Sequence, residues 1–272
     1  MRLGLTIDGI ASVAFGILDL IWGEFEPAHQ PLQAWGDRVP GATIFAYIAA
    51  IWLIVGGVAI LWRGSVRFGA AALSILYGIF MLFPLPRLYT APHYLGHRPH
   101  VYIGVLANVC EQIFLFVPIA VVWGTLATQG SVPRKAALAA RWAFGFCSLF
   151  FGLSHLTNIK DVVPLVPTWL PLGGAFWAVL TGIAFALAGL AIMTGVLDSL
   201  AAWLLGAMLL VFSALALAPL IVAAPHDHTS WGGNAYNLTA IGGAWIMAAW
   251  LDDRRHSAQR PQGAQPAKAP PA

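Results

Sequence analysis

Charge is what this sequence has least of. Only 9% of its 272 residues are Asp, Glu, Lys or Arg, against roughly 25% in an ordinary soluble domain, while 59% are apolar. A water-soluble fold of this size could not cover its surface, so lipid is the expected solvent. Cysteine is scarce too. Cys110 and Cys147 lie far apart in apolar segments with no Cys-x-x-Cys, which leaves a thiol redox centre or disulfide framework without support and reads as two buried structural thiols. There is no Gly-x-x-x-x-Gly-Lys-Ser/Thr loop, no Gly-x-Ser-x-Gly elbow and no Gly-x-Gly-x-x-Gly after a strand, so nucleotide-driven and serine-nucleophile chemistry are not expected. The net charge of +3 implies no nucleic-acid partner, because the 14 Lys and Arg fall between hydrophobic runs and form no single patch.

What the sequence has is a series of long apolar runs. A hydrocarbon core about 30 Å thick needs about 20 apolar residues in a helix. Such runs occur at about 3–22, 42–62, 67–86, 101–123, 141–157, 174–194, 199–222 and 233–251. Most of the 28 Gly lie inside them, where membrane helices use small residues for close packing. The opening Met1-Arg2 and apolar stretch resemble a signal peptide, but Asp8 and Asp19 interrupt the run and no small-x-small cleavage site follows; it reads as the first helix. Residues 252–272 turn rich in Arg, Gln, Pro and Ala, a composition expected to remain a disordered cytoplasmic tail.

Orientation follows from the cations. With the N-terminus inside, Arg2, Arg63, Arg67, Arg134, Lys135, Arg141, Arg254, Arg255, Arg260 and Lys268 are cytoplasmic, leaving Arg38, Arg87, Arg98 and Lys160 outside. That asymmetry obeys the positive-inside rule and puts both termini in the cytoplasm of a cell inner (plasma) membrane. Trp62, Trp123, Trp142 and Trp250 then fall at the inner boundary, and Trp22, Trp169 and Trp231 at the outer one. The histidines gather outside: His29, His93, His97, His100, His155, His226 and His228, with only His256 inside.

The chain also resembles itself. Phe15-Gly16-Ile17-Leu18-Asp19-Leu20 matches Phe151-Gly152-Leu153-Ser154-His155-Leu156; Gly57-Val58-Ala59-Ile60 answers Gly189-Leu190-Ala191-Ile192. Phe83-Pro84-Leu85 answers Ala218-Pro219-Leu220, Ala91-Pro92-His93 answers Ala224-Pro225-His226, and Asn108 meets Asn237. The matches keep their order, as a tandem duplication would. The expected fold is an all-α membrane protein of eight transmembrane helices in two four-helix repeats, 1–130 and 141–251, joined by a cytoplasmic linker at 131–140.

The second copy carries Arg141-x-x-x-Gly145, Phe151-Gly152-Leu153-Ser154-His155-Leu156 and Val166-Pro167-Thr168-Trp169-Leu170-Pro171, followed by Phe176-Trp177, Thr181-Gly182 and Ala188-Gly189-Leu190. This pattern resembles the DoxX-like family of small four-helix membrane proteins, and the first copy resembles the family through the second. The resemblance implies proximity to membrane redox chemistry, since named relatives are similar to subunits of quinone-linked sulfur oxidation. The present chain departs from the family in being duplicated.

Ionisable groups inside hydrocarbon cost about 2.5–3.5 kcal/mol each on insertion scales and generally face the bundle interior, so they and the polar residues beside them are the functional candidates. Asp8, Ser12 and Asp19 share one face of the first helix, and the repeat pairs Asp19 with His155. Asn108 and Glu111, with Gly104 and His100 above them, form a polar stripe on the fourth helix; Asn234 and Asn237 repeat the spacing on the eighth. Read functionally, the stripe is a proton path or a head-group site for a molecule such as a quinone, with Glu111, His155 or Asp19 as catalytic candidates and Asn108, His100, Asn234 and Asn237 as binding groups. Read structurally, the same groups hydrogen-bond neighbouring helices, a use worth about 0.6 kcal/mol per contact. In the outer loops, His226 and His228 sit two apart in what reads as an extended segment, so both would reach one metal ion, with His93 as a third ligand. Three readings follow: a membrane redox component handling a quinone beside a membrane redox enzyme, a small-solute or lipid transporter, or a non-catalytic partner of a membrane complex.

Overall fold

The computed structural model describes residues 1–26, 40–130 and 132–259. Every regular element among them is helical: α1 (Arg2–Trp22), α2 (Ala42–Leu61), α3 (Val66–Leu82), α4 (Arg87–Leu95), α5 (Pro99–Ala127), α6 (Arg134–Thr157), α7 (Ile159–Val162), α8 (Gly173–Thr194), α9 (Asp198–Phe212), α10 (Ala218–Ala223) and α11 (His228–Gln259). A 3₁₀ turn at Val163–Leu165 follows α7, and a π-helical segment, Ser213–Leu217, joins α9 to α10. Six stretches are long and apolar enough to cross a membrane: α1, α2, α5, α6, α8 and the continuous Asp198–Ala223. The pair α3 and α4, bent by 40° at its break, makes a seventh if taken as one span. This is the make-up of a multi-pass membrane protein.

The 32-residue α11 is longer than any of these yet more polar, with Asn234, Tyr236, Asn237 and Thr239 in its first half. Its surroundings explain why. Ala240, Ile241, Ala244, Ile246, Met247 and Ala248 are all at most 2% exposed, so α11 is solvated by neighbouring helices and its sequence need not be uniformly greasy. By contrast α2 shows Ile44, Phe45, Ile48, Ile51 and Val55 on its outer face, each about half exposed or more, a surface suited to acyl chains.

The helices close a ring. Each of α1, α2, α3, α5, α6, α8, α9 and α11 packs on the next in that order, α11 returns to α1, and α5 and α11 also meet across the interior. Lipid tails are as apolar as leucine, so packing and not hydrophobic exclusion must bring helices together. Glycine permits it. A Cβ on Gly9 would lie 2.9 Å from the Gly57 carbonyl oxygen, and one on Gly145 the same distance from that of Gly189; one on Gly152 would lie 2.6 Å from the Ala186 nitrogen. On the other side of α1, Gly4 lies against Gly242 and Ile246, while Asp19 approaches His228. Helices α1 and α11 are therefore antiparallel, and the start of α1 shares one end of the bundle with the last turns of α11.

Boundaries differ from expectation in four places. The expected linker at 131–140 is helical from Arg134 onward, because Arg-Lys-Ala-Ala-Leu-Ala-Ala is strongly helix-forming and follows Pro133 at the N-cap. The expected third run, to about residue 86, ends at Leu82, since Pro84 and Pro86 cannot donate to the helical ladder. The residues after it form α4 in place of an open loop. Helix α11 continues to Gln259, so the expected tail begins as helix. Residues 260–272, with Arg260 and Lys268, lie outside the described residues, as do His29 and Arg38. Substituting Gly152→Leu should drive α6 and α8 apart and cost about 1–3 kcal/mol, read as a lower melting temperature of the purified protein in detergent, whereas Ile48→Leu on the exposed face of α2 should leave it unchanged.

Candidate functional site

Three polar constellations occupy the bundle. The first is built on α4 and α5. After the proline break, α4 folds over the start of α5 and carries Arg87 inward to 2% exposure. Its Nη1 donates to Asn108 Oδ1 at 3.0 Å, and Asn108 Nδ2 donates to Glu111 Oε2 at 3.2 Å. Arginine can only donate, so the orientation of the Asn108 amide is settled. A cavity of about 440 Å³ lies beside this chain, lined by Arg87, Leu95, His100, Gly104 and Asn108 among others. The stripe read from the sequence is therefore real as far as His100, Gly104 and Asn108, with Glu111 joined through Asn108. Arg87 was missed. It reads as an outer topology charge, and the one available signal was its position directly after Pro84-Leu85-Pro86, where the chain must turn.

The second constellation centres on His155, in the last turn of α6. Its Nδ1 lies 3.0 Å from the Phe151 carbonyl oxygen. A carbonyl only accepts, so Nδ1 carries the proton, which leaves Nε2 as the acceptor when the ring is neutral. The ring packs against Phe185 with centroids 5.1 Å apart. It borders a cavity of about 220 Å³ walled by Val162, Leu165, Leu170, Trp177, Phe212 and Leu215, with Thr181 as the other hydrogen-bonding side chain apart from the tryptophan indole. Both of those groups are engaged: Thr181 Oγ1 donates to Trp177 O at 2.8 Å and Trp177 Nε1 to Pro171 O at 2.8 Å. The Val166-Pro167-Thr168-Trp169-Leu170-Pro171 segment thus folds back as one wall.

The third joins the end of α1 to the start of α11. Asp19 is fully buried, and its Oδ1 lies 4.0 Å from His228 Nε2, while His228 Nδ1 lies 3.5 Å from Glu24 Oε1. The Trp22 indole stacks on the His228 ring at 4.6 Å, nearly parallel. The expected metal set of His93, His226 and His228 is corrected here. Residues 225–226 form a turn, not an extended strand, so His226 faces outward while His228 enters α11 and is buried. His93 is exposed on α4, edge-on to Tyr94. Among the described residues, no three His, Cys, Asp or Glu side chains could hold a metal ion. From the sequence, Asp19 and His228 belong to different sites; a separation of 209 positions (228 − 19) gives no reason to join them.

The remaining polar candidates are hydrogen-bonded within the bundle. Asn237 Nδ2 donates to Leu209 O and Ser213 Oγ, both at 2.7 Å, tying α11 to the end of α9 at the entry to the π segment. Asn234 Nδ2 donates to Ser230 O on its own helix at 3.0 Å. Cys110 and Cys147 are free and buried as expected, but α5 and α6 bring the two thiols into contact. At the mouth of α11, Ser230 donates its hydroxyl (2.6 Å) and its N–H (2.9 Å) to Asp227 Oδ2, and these bonds hold the Asp227 carboxyl below its ordinary value.

That cap contributes fully above the ordinary aspartate pKa of about 3.9 and is lost as the pH falls through the lowered value. Amide exchange at the start of α11, corrected for intrinsic rates, should be flat from neutrality to about pH 4 and accelerate below it; Asp227→Asn should abolish that acid limb.

With this geometry established, comparison with models of known protein families, with curated proteins and with solved structures finds no match. What the chain is made of defines its class, a multi-pass helical membrane protein.

Proposed function

We propose that the chain is a tandem duplication of a DoxX-like four-helix unit, crossing the inner (plasma) membrane eight times with both termini cytoplasmic, and that it serves as a quinone-linked component of a membrane redox system. The units are 1–130 and 141–251. Their support is the parallel packing of the halves. The glycine contact Gly9 to Gly57 between α1 and α2 recurs as Gly145 to Gly189 between α6 and α8, at positions the sequence repeat pairs. The order α1, α2, α3, α5 is matched by α6, α8, α9, α11 around the ring. The third helix of each unit is interrupted, at Pro84 in one and at the π segment before Pro219 in the other.

The observation that carries the redox reading is the His155 cavity. At about 220 Å³ it falls below the roughly 300–1,000 Å³ of pockets that enclose a whole drug-sized ligand, and suits a single ring whose tail stays in lipid. Its walls are apolar, and His155, whose Nδ1 is taken up by the Phe151 carbonyl, would accept at Nε2 from a ligand hydroxyl such as the reduced ring supplies. A bound quinone would supply coupled electron and proton transfer. The chain's own residues orient the ring, exclude water from it, and take a proton at Nε2; the electrons pass to a partner membrane redox enzyme. Glu111, tied to Asn108 and Arg87, is a second proton-exchanging group, separate from the ring site.

The test is equilibrium binding of a short-chain hydroquinone to the purified protein in nanodiscs. His155→Phe should weaken binding about two- to tenfold, the worth of one neutral hydrogen bond, with the melting temperature unchanged. Equal affinity in the two proteins would remove the assignment.

One feature favours a second reading, a small-solute transporter: interrupted membrane helices in corresponding positions of two repeats commonly mark a transport site. There the donor-lined Arg87 and His100 cavity would take the solute. Uptake of a carboxylate-bearing solute into proteoliposomes, reduced at least tenfold by His100→Ala and untouched by His155→Phe, would establish it over the redox reading.

A further inference from the structure

The end of the bundle opposite these polar sites holds a cavity that neither reading uses. It measures about 410 Å³ and opens between the first turns of α6, the α8–α9 turn and the last turns of α11. Arg134, Arg141, Arg254 and Arg255 line it, with Asp198 as the acidic member. Four guanidinium groups thus face one carboxylate. Arg255 pairs with Asp198 through Nη2, and Asp198 also accepts from the Ser199 N–H at 2.8 Å, so that carboxylate is already engaged. Arg254 lies over the Trp250 ring, 5.0 Å from its centroid, a contact that fixes the guanidinium without neutralising it.

Arg141 is the decisive group. Its guanidinium rests against Gly195, where a Cβ would come within 2.9 Å of Nη1, and the positive φ of 80° there independently favours glycine. The Arg141 Nε is buried and has no hydrogen-bond partner. An unpaired buried donor on a cation is costly, and an acceptor brought beside this guanidinium from the cavity would offset part of that cost. The α6 N-terminus, which lacks a side-chain cap, adds unpaired backbone N–H groups of the first turn and the positive end of a 24-residue helix. Arginines lining one cavity beside a helix N-terminus suit a phosphate better than a carboxylate, because a phosphate offers more acceptor oxygens to share among guanidinium donors.

The rest of the lining says where that phosphate comes from. Leu138, Trp250 and Leu251 complete the walls, and Leu138 and Trp142 on the neighbouring face of α6 are about half exposed. Apolar side chains and a tryptophan beside clustered arginines at helix ends are what a membrane–water boundary selects. We propose that this cavity binds the phosphate head group of an anionic phospholipid, whose acyl chains run down the exposed face of α6. The site holds whether or not the quinone reading does, since the two share no residue.

The full-length protein is delipidated in detergent and titrated with phosphatidylglycerol, with phosphatidylcholine, and with inorganic phosphate, reading retained lipid by native mass spectrometry and melting temperature in parallel. Phosphatidylglycerol should be retained at least tenfold better than phosphatidylcholine and raise the melting temperature. The double variant Arg134→Gln, Arg141→Gln should lose that preference at least tenfold; Arg254→Gln, which leaves α6 untouched, provides a second reading if the double variant melts early in phosphatidylcholine alone. A rise with inorganic phosphate that phosphatidylglycerol does not exceed would keep the phosphate site and identify a free anion as its source. Equal retention of the two lipids with no effect of phosphate, or an undiminished preference in both variants, would overturn the proposal.

Discussion

Helices in hydrocarbon gain nothing from hiding apolar side chains from water, so their association depends on how closely backbones can approach. In this chain that approach is made by glycine facing glycine or alanine: Gly9 with Gly57, Gly145 with Gly189, Gly152 with Gly182 and Ala186, Gly4 with Gly242. Everything else in the bundle inherits its position from these seams. Buried polar groups can then be paired, because backbones held this near bring side chains from separate helices within hydrogen-bond reach. Ser148 thus reaches the Phe185 carbonyl across the α6–α8 seam at 3.0 Å, and Ser12 meets Tyr77 at 3.0 Å.

The interruptions follow from the same constraint. Backbone carbonyls freed inside a membrane helix must find partners. Where Pro84 and Pro86 end α3, the chain uses the break to fold Arg87 onto Asn108; where α9 widens into its π segment, Asn237 adds a second donor to the Leu209 carbonyl, which also accepts from the Ser213 N–H. One break carries a buried cation and a cavity, the other a satisfied structural amide beside the wall of the His155 cavity. Asn108 and Asn237 thus do different work: one joins a buried arginine beside a cavity, the other ties α11 to the end of α9.

Much of the helical layout was legible as a list of apolar runs, because burial in lipid writes itself directly into composition. Helix ends were less legible. Arg134 to Ala140 looked like a polar joint and is helix, since its Ala- and Leu-rich composition favours helix whatever its hydropathy. The candidate sites were legible only along single helices. His100, Gly104 and Asn108 share a face by periodicity alone, and the structure keeps them on one cavity wall. The partnership of Asp19 with His228, of Arg87 with Asn108, and of Cys110 with Cys147 joins helices distant in sequence, which periodicity does not address.

By itself, then, the sequence determined the solvent, the helical class, the approximate spans and the residues too polar to face lipid, because each is a property of local composition and 3.6-residue spacing. The tertiary structure decided which of those polar residues meet. It turned His228 inward and left His226 in solvent, tied Asn237 to a π segment, gave His155 an apolar cavity, and gathered four arginines from two helices at one end of the bundle. These outcomes depend on the angle and closeness at which helices cross, which are set by small-residue contacts between segments many residues apart and are invisible to any single stretch of chain.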